Sequence, residues 1–457
     1  MKQVFDIVRI PKPLIEEREI STIENSHLLN KANRKKRKVR PIHVSASFTF
    51  LAFSMSFVGM FFNARQDLAL KAQLASIVSN KGKYLVVFQN DAELRPSGGF
   101  IGSYGTIDWD KGIKKIEFGT NVYKIDKSFE EVKYVTPPAP IQKYLGVEKW
   151  AFRDSNWALD YRDAAENMAW FYEKETDQAI DGVITVNTEA AIELLQKTGE
   201  VKLDKYNLVI NAGNFRTIIQ EQVEKNYYEN SDNKIINEPK AILADLMKVM
   251  EQKISNQPKS DMMQFALGQL NKKNLMLYSK NISVEQAINQ FNWGGAIRTS
   301  NQDYLYISRA SLGGGKSSKN VNENISYKIE KNNSSSLFIT RTHTGNGVYP
   351  DAANSTYYRV AIPKGSIISS VKIDNNELKD TVDLYSEYNR DIVGFLSNVA
   401  PGSSQNIQIN YILPFKIQDN YSLLIQKQSG APFETYNINI MGETKFQGEL
   451  QSDLELK

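Results

Sequence analysis

IDGVITVNTEAAIELLQKTGEV, residues 180–201, holds a strand, a helix and the start of a second strand in one uninterrupted stretch. Asp181 to Asn187 is a short apolar, β-branched run of the kind buried in a sheet. Thr188 is read as the cap of a helix that runs through Lys197, Gly199 as its stop, and Glu200 to Leu203 as the opening of the next strand. Strand, helix and strand in that order make a βαβ-like unit, so this part of the chain is read as α/β.

Upstream, Tyr84 to Gln89 (YLVVFQ) is a second continuous apolar run. After the loop NDAELRPSGGF come two strands with a turn at Asp110, Lys111 and Gly112. Residues 120–150, with Pro137, Pro138 and Pro140, read as an irregular connection. Tyr161 to Glu175 fits an amphipathic helix with Ala165, Met168, Ala169 and Tyr172 along one face. Downstream, helices are predicted across 213–229 and 238–272. A strand at Leu275 to Ser279, a helix at Val284 to Phe291 and a strand at Tyr304 to Ser308 follow, which bounds an α/β domain at 82–310.

Past a polar linker, 311–324, the pattern changes to short alternating strands such as ISYKIE, SLFITRT, YYRVAIP and TYNINI, separated by Gly, Pro, Asn and Asp. Period-two alternation without helical stretches predicts an all-β sandwich over 325–450.

At the other end, residues 44–62 (VSASFTFLAFSMSFVGMFF) carry no charge. A helix of that length matches a hydrocarbon core of ~30 Å, and its Ser and Thr hydroxyls can bond back to the preceding turn. Lys31, Arg34, Lys35, Lys36, Arg37, Lys38 and Arg40 lie before it, while Arg65, Asp67 and Lys71 after it nearly cancel. The positive-inside rule then assigns 1–42 to a cytoplasmic basic tail, 43–63 to a single transmembrane helix, 64–81 to a stalk helix, and the rest to the outer face of a bacterial cytoplasmic membrane. A cleavable signal peptide is the competing reading, but no A-x-A-like site follows Phe62.

The chain has 457 residues, 41% of them hydrophobic and 24% charged, with net charge +4 and no Cys. Once the basic run is set aside the remainder is slightly acidic, so the folded body has no electrostatic case for nucleic acid. Without Cys there is no disulfide, thiolate metal site or Cys nucleophile. Of the three His, only His343 lies in the outer part, which leaves a Ser-His-Asp triad little to draw on.

Gly313-Gly314-Gly315-Lys316-Ser317 copies the end of a phosphate loop, but Ala310 occupies the required first glycine and no helix follows. A flexible link explains it better, with Lys316 still available to an anion. The loop from Asn90 through Glu93, Arg95, Gly98 and Gly99 is the most chemically pointed stretch. Arg95 offers a fork suited to phosphate oxygens, and paired glycines allow close backbone approach. A buried structural ion pair satisfies the same spacing. Arg153, Asp154 and Asn156 precede a helix; Asp154 and Asn156 either share a divalent cation with a pyrophosphate or serve as caps and turn formers.

Over QNDAELRPSGGFIGSYG (89–105), FRDSNWALDYRDAAENMAWFY (152–172), IDGVITVNTEAAIELLQKTGEV (180–201), LGGGKS, YYRVAIPKG, APGSSQNIQINYILP and IQKQSG, the chain resembles a bacterial family known as domain of unknown function 4012. It is also similar, more distantly, to the LytR-CpsA-Psr phosphotransferases, which move lipid-linked glycopolymers onto peptidoglycan. That likeness implies an α/β catalytic domain in which Arg95 grips a pyrophosphate, Arg153 and Asp154 flank it, and Asp154 ligates Mg²⁺. Asn90, Glu93, Gly98, Gly99, Asn156 and Lys316 would line the ligand. The chain departs from it where Arg-Ser-Asp is replaced by Arg95-Pro96-Ser97, and where Thr120 to Asp126 replace a Pro-Arg-Asp. Two functions follow as expectations: binding or transfer of a polyprenyl-pyrophosphate-linked glycan, or a non-catalytic envelope scaffold or adhesion protein whose sandwich binds a partner.

Overall fold

Leu85, Val86 and Val87 are buried in a row because their strand, β1 (Gly82–Asn90), is covered on both faces. The computed structural model of the chain describes residues 80–223 and 240–457, apart from 111–112, 120, 132, 301, 349–350 and 419, together with 18–19 and Ile77. The expected basic tail, transmembrane helix and nearly all of the stalk lie outside the described residues. Among those described, no helix is long and apolar enough to cross a membrane.

In the first half β1 is joined by β2 (Phe100–Trp109), β3 (Ile113–Gly119), β4 (Gly182–Asn187) and β5 (Leu275–Ser279), in the order β3-β2-β1-β4-β5. Only β1 and β4 run parallel. Helices α1 (Val122–Glu130) and α2 (Tyr161–Thr176) pack on one face through Val122, Phe129, Ala165, Met168 and Phe171, against Leu85, Val87 and Val183. Helices α3 (Thr188–Thr198), α4 (Ala241–Ser255), α5 (Lys259–Asn271) and α6 (Ile282–Gln290) cover the other, where Leu195, Leu246, Met250 and Val284 meet Val86, Ile184 and Leu277. Each aliphatic side chain so enclosed contributes about 1.5–3 kcal/mol.

The stretch 180–201 folds differently from its reading in two respects. Val201–Leu203 does not enter the sheet; it forms a hairpin with Leu208–Ile210, so the parallel neighbour of β4 is β1. The cap of α3 is Asn187, whose side chain accepts from Ala190 N at 3.2 Å, while the Thr188 hydroxyl donates to the Gln89 carbonyl. Residues 120–150, expected to be irregular, include α1 and a second helix, Ala139–Leu145.

The remaining strands are β6 (Asp303–Ser311), β7 (Val321–Ile329), β8 (Ser334–His343), β9 (Asn354–Pro363), β10 (Ile367–Ile373), β11 (Asp383–Glu387), β12 (Arg390–Val399), β13 (Ser404–Ile412), β14 (Leu423–Gln426), β15 (Glu434–Ile440), β16 (Glu443–Glu449) and β17 (Leu454–Leu456). They form a six-stranded sheet, β11-β12-β9-β6-β14-β17, and a seven-stranded one, β10-β13-β8-β7-β15-β16 with Asn376–Glu377 on its β10 edge. Ile307, Val360 and Phe395 of the first meet Ile325, Ile339 and Ile409 of the second in one core.

The division at residue 310 therefore falls inside a strand of the two-sheet half. β6 pairs antiparallel with β9 and parallel with β14. All nine of its positions are buried, so it has no polar alternation to show which sheet it joins. The expected linker 311–324 is packed: Ser311 N donates to the Leu94 carbonyl at 2.8 Å, Ser318 N donates to the Ala92 carbonyl at 2.9 Å, and β7 begins at Val321.

Candidate functional site

The loop between β1 and β2 owes its course to its turn residues. Asn90 Oδ1 accepts from Ala92 N at 3.1 Å, which folds the chain back as it leaves β1. Gly98 (φ 130°) and Gly99 (φ 154°) hold backbone that a side chain would strain, and a Cβ on Gly99 would collide with the backbone of Asn90. Asn156 Nδ2 donates to the Gly99 carbonyl at 2.8 Å, so this loop and the turn before α2 are tied together.

Arg95 is turned inward and is 1% exposed. Its Nη1 donates to the carbonyls of Ser311 (2.7 Å) and Leu94 (3.3 Å). Its Nη2 donates to Glu93 Oε1 and Asp154 Oδ1, each at 3.1 Å, and the Phe100 ring lies 5.5 Å from the guanidinium carbon. Burial works to lower the pKa of the guanidinium, but Glu93 and Asp154 outweigh it and raise it. Of its three nitrogens, Nε finds no hydrogen-bond partner among the described residues.

Arg153 extends the lattice. It donates to Asp126 Oδ2 at 2.9 Å, pairs with Glu130 at 2.8 Å, and its Nε stands 3.7 Å from Asp154 Oδ2. Beneath it the Asp126 carboxyl hydrogen-bonds to that of Glu175, which also accepts from Phe152 N at 3.1 Å. Burial raises both carboxyls, and the neighbouring Asp126 raises Glu175 further. Burial brings the Lys240 ammonium down to about 8, and its Nζ donates to the Gly102 carbonyl. Lys316 is lowered by burial too, and Glu93 acts on both lysines in the opposite sense.

The structure thus brings together Glu93, Arg95, Arg153, Asp154 and Asn156, with Lys316 near Glu93, and uses Asn90, Gly98 and Gly99 as turn formers. It adds residues that sequence reasoning passed over: Asp126, Glu130, Glu175, Lys240 and Tyr123, whose ring lies 5.8 Å from the Arg153 guanidinium carbon. The available signal was Asp126, an acid midway between Val122 and Phe129 on the buried side of α1. The expected Mg²⁺ ligand suits a cation poorly: one oxygen of Asp154 accepts from Arg95 and the other faces Arg153. A divalent ion there would lie against two guanidinium groups.

Asp91 anchors the far end of the loop. It is fully buried; burial pushes its pKa up, yet Lys319 and Arg216 outweigh that and hold it low. Arg216 Nη2 reaches Asp91 Oδ2 at 3.0 Å and Glu189 at 2.7 Å, and Lys319 Nζ lies 3.3 Å from Asp91. The whole arrangement is a lattice of buried charge pairs that fixes one loop to α1, the turn before α2 and the two-sheet half.

Residues 80–223 match the family model described as Protein of unknown function (DUF4012). They form a DUF4012 region. Arg95, Arg153, Asp154 and their acidic partners all fall within that DUF4012 region, whereas Lys240, Ser311 and Lys316 lie beyond it. No curated protein matches the chain. Among solved structures it is similar to a protein from Legionella pneumophila subsp. pneumophila str. Philadelphia 1 that is named for nutrient binding, at 10% identity and TM-score 0.21. The match covers 30% of this chain and 54% of that one, so the chain spans about half the length of that protein. An M1 zinc metallopeptidase from Deinococcus radiodurans matches at 8% identity and TM-score 0.15, over 31% of this chain and 32% of its own.

Proposed function

We propose that the chain is a non-catalytic, membrane-anchored scaffold of the bacterial envelope, with the two-sheet half held out to bind a partner. One observation carries the reading: Arg95, the residue with the chemistry to grip a pyrophosphate, has both terminal nitrogens committed to protein acceptors, one of them the Ser311 carbonyl of the other half. A phosphate could reach it only by breaking buried pairs, a loss of about 3–5 kcal/mol for each partner left unpaired. The same contacts support a rigid connection between halves, which is what a scaffold needs.

The test uses the full chain in detergent micelles with polyprenyl pyrophosphate and Mg²⁺. Wild type, Arg95→Lys and Arg153→Gln are expected to show no arginine-dependent binding. Binding that falls about tenfold in both variants while their unfolding transitions stay cooperative would replace this reading with glycopolymer handling.

A further inference from the structure

The outer face of the seven-stranded sheet carries an unusual set of side chains. Along β7, β8, β13 and β15 the inward positions enter the core, and the outward ones are half-buried or exposed. Register places Asn324 beside both Thr340 and Thr435, with Thr340 beside Asn406. In the next row Ser326 lies between Asn437 and Phe338, and Phe338 beside Gln408. Amides and hydroxyls fill nearly every outward position of these four strands.

Lys328 alone is charged there, in a chain that is 24% charged, and it is paired with Glu330. Solvent-facing surfaces ordinarily carry both signs of charge, and asparagine is disfavoured in strands. Neither solubility nor strand formation accounts for the pattern. Phe338, 42% exposed, stands in the middle of it.

Cross-strand bonds hold the amides in place. Thr340 Oγ1 donates to Asn406 Oδ1 at 2.9 Å, leaving the exposed Asn406 amide hydrogens for another acceptor. Asn410 Nδ2 donates to Ser370 Oγ at 2.8 Å, and Gln408 Nε2 to Asn410 Oδ1 at 3.3 Å. Side chains already ordered lose less entropy when a ligand arrives.

We propose that this face binds a neutral glycan. Each sugar hydroxyl both donates and accepts, which matches a field of amides and hydroxyls, and the C–H face of a pyranose ring covers an exposed aromatic ring. Charge complementarity points the same way: a nucleic acid needs a basic surface, which this face lacks, and one exposed ring among amides is far short of the extended apolar centre of a protein interface. The inference rests on the scaffold reading and names its partner.

The experiment is affinity electrophoresis of the full chain in detergent micelles through gels containing dextran, mannan or galactan, with heparin as the anionic control. Wild type is expected to be retarded by at least one neutral polymer. Phe338→Ala and the double variant Asn406→Ala, Gln408→Ala should each weaken retardation about tenfold while unfolding stays cooperative, because what they lose in the fold is cross-strand pairing of about 0.2–1 kcal/mol per pair and not core packing. No retardation by any neutral polymer, retardation by heparin alone, or retardation that both variants retain would each overturn the proposal. Those outcomes leave the scaffold reading intact, because that reading fails only on arginine-dependent pyrophosphate binding.

Discussion

Gly430 of the two-sheet half lies against Gly98 of the β1–β2 loop so closely that a Cβ on Gly430 would collide with the Gly98 carbonyl oxygen. Gly430 also has a φ of 66°, a left-handed backbone that alanine adopts only with strain. Beside it the Gln428 side-chain amide donates to the carbonyls of Arg95 and Arg309, at 3.1 and 2.8 Å, tying the loop backbone to the two-sheet half.

Gly430→Ala is therefore expected to destabilise the protein by about 2–4 kcal/mol, from the left-handed backbone and the overpacked contact together. Urea denaturation of the full chain in detergent measures it. A loss within experimental error of zero would mean the two halves can slide apart at this point.

Replacing Arg95 with leucine leaves Glu93 and Asp154 facing one another without their shared cation. The expected loss is about 3–5 kcal/mol in the same measurement, and Arg95→Lys should recover only part of it. One ammonium cannot reproduce the planar fork that serves two carboxylates and two carbonyls. Full recovery with lysine would show that charge alone matters there.

The Asp126 and Glu175 carboxyls are both raised in the folded protein, chiefly by burial. A carboxyl raised on folding gives its full stabilisation below its unfolded pKa and loses it as pH rises through the folded one. Stability should thus fall as pH rises above the ordinary carboxyl range, more steeply in the wild type than in Glu175→Gln, which keeps a donor toward Asp126 and an acceptor for Phe152 N. The readout is the difference between the two pH profiles; parallel profiles would show that the pair does not share a proton.

Lys273 is 3% exposed and donates to Asp453 Oδ1 at 2.6 Å, so the C-terminal residues clasp the α/β half. Asp453→Ala should cost about 3–5 kcal/mol by stranding a buried ammonium. Glu455→Gln, which alters a half-exposed partner of Arg298, should stay within about 1 kcal/mol. Thermal unfolding of the two variants side by side separates them.

The strands with one wet face were legible because period-two alternation survives in them, as in Val321–Ile329. The helix of Tyr161–Thr176 was legible because its buried side is apolar: Ala165, Met168, Ala169 and Tyr172 all face the core. Where burial is complete the code disappears. Asp303–Ser311 has no wet face, so nothing local said that it pairs with Asn354–Pro363 rather than with the strands before it. The helix of Val122–Glu130 was hidden by Asp126, which places an acid on its buried side because Arg153 compensates it from another segment. Arg95 and Asp154 were both singled out, yet that they bind one another is set by tertiary packing, which no spacing rule carries.

The placement of Asp303–Ser311 also orders events as the chain is made. Its antiparallel neighbour emerges soon after it, but the parallel neighbour, Leu423–Gln426, comes only near the end of synthesis. Until then one edge of a strand that the finished fold buries at every position stays open, a template for wrong pairing. A chain cut short before Leu423 would keep that edge exposed for good, and aggregation, not a smaller working protein, is the outcome to expect.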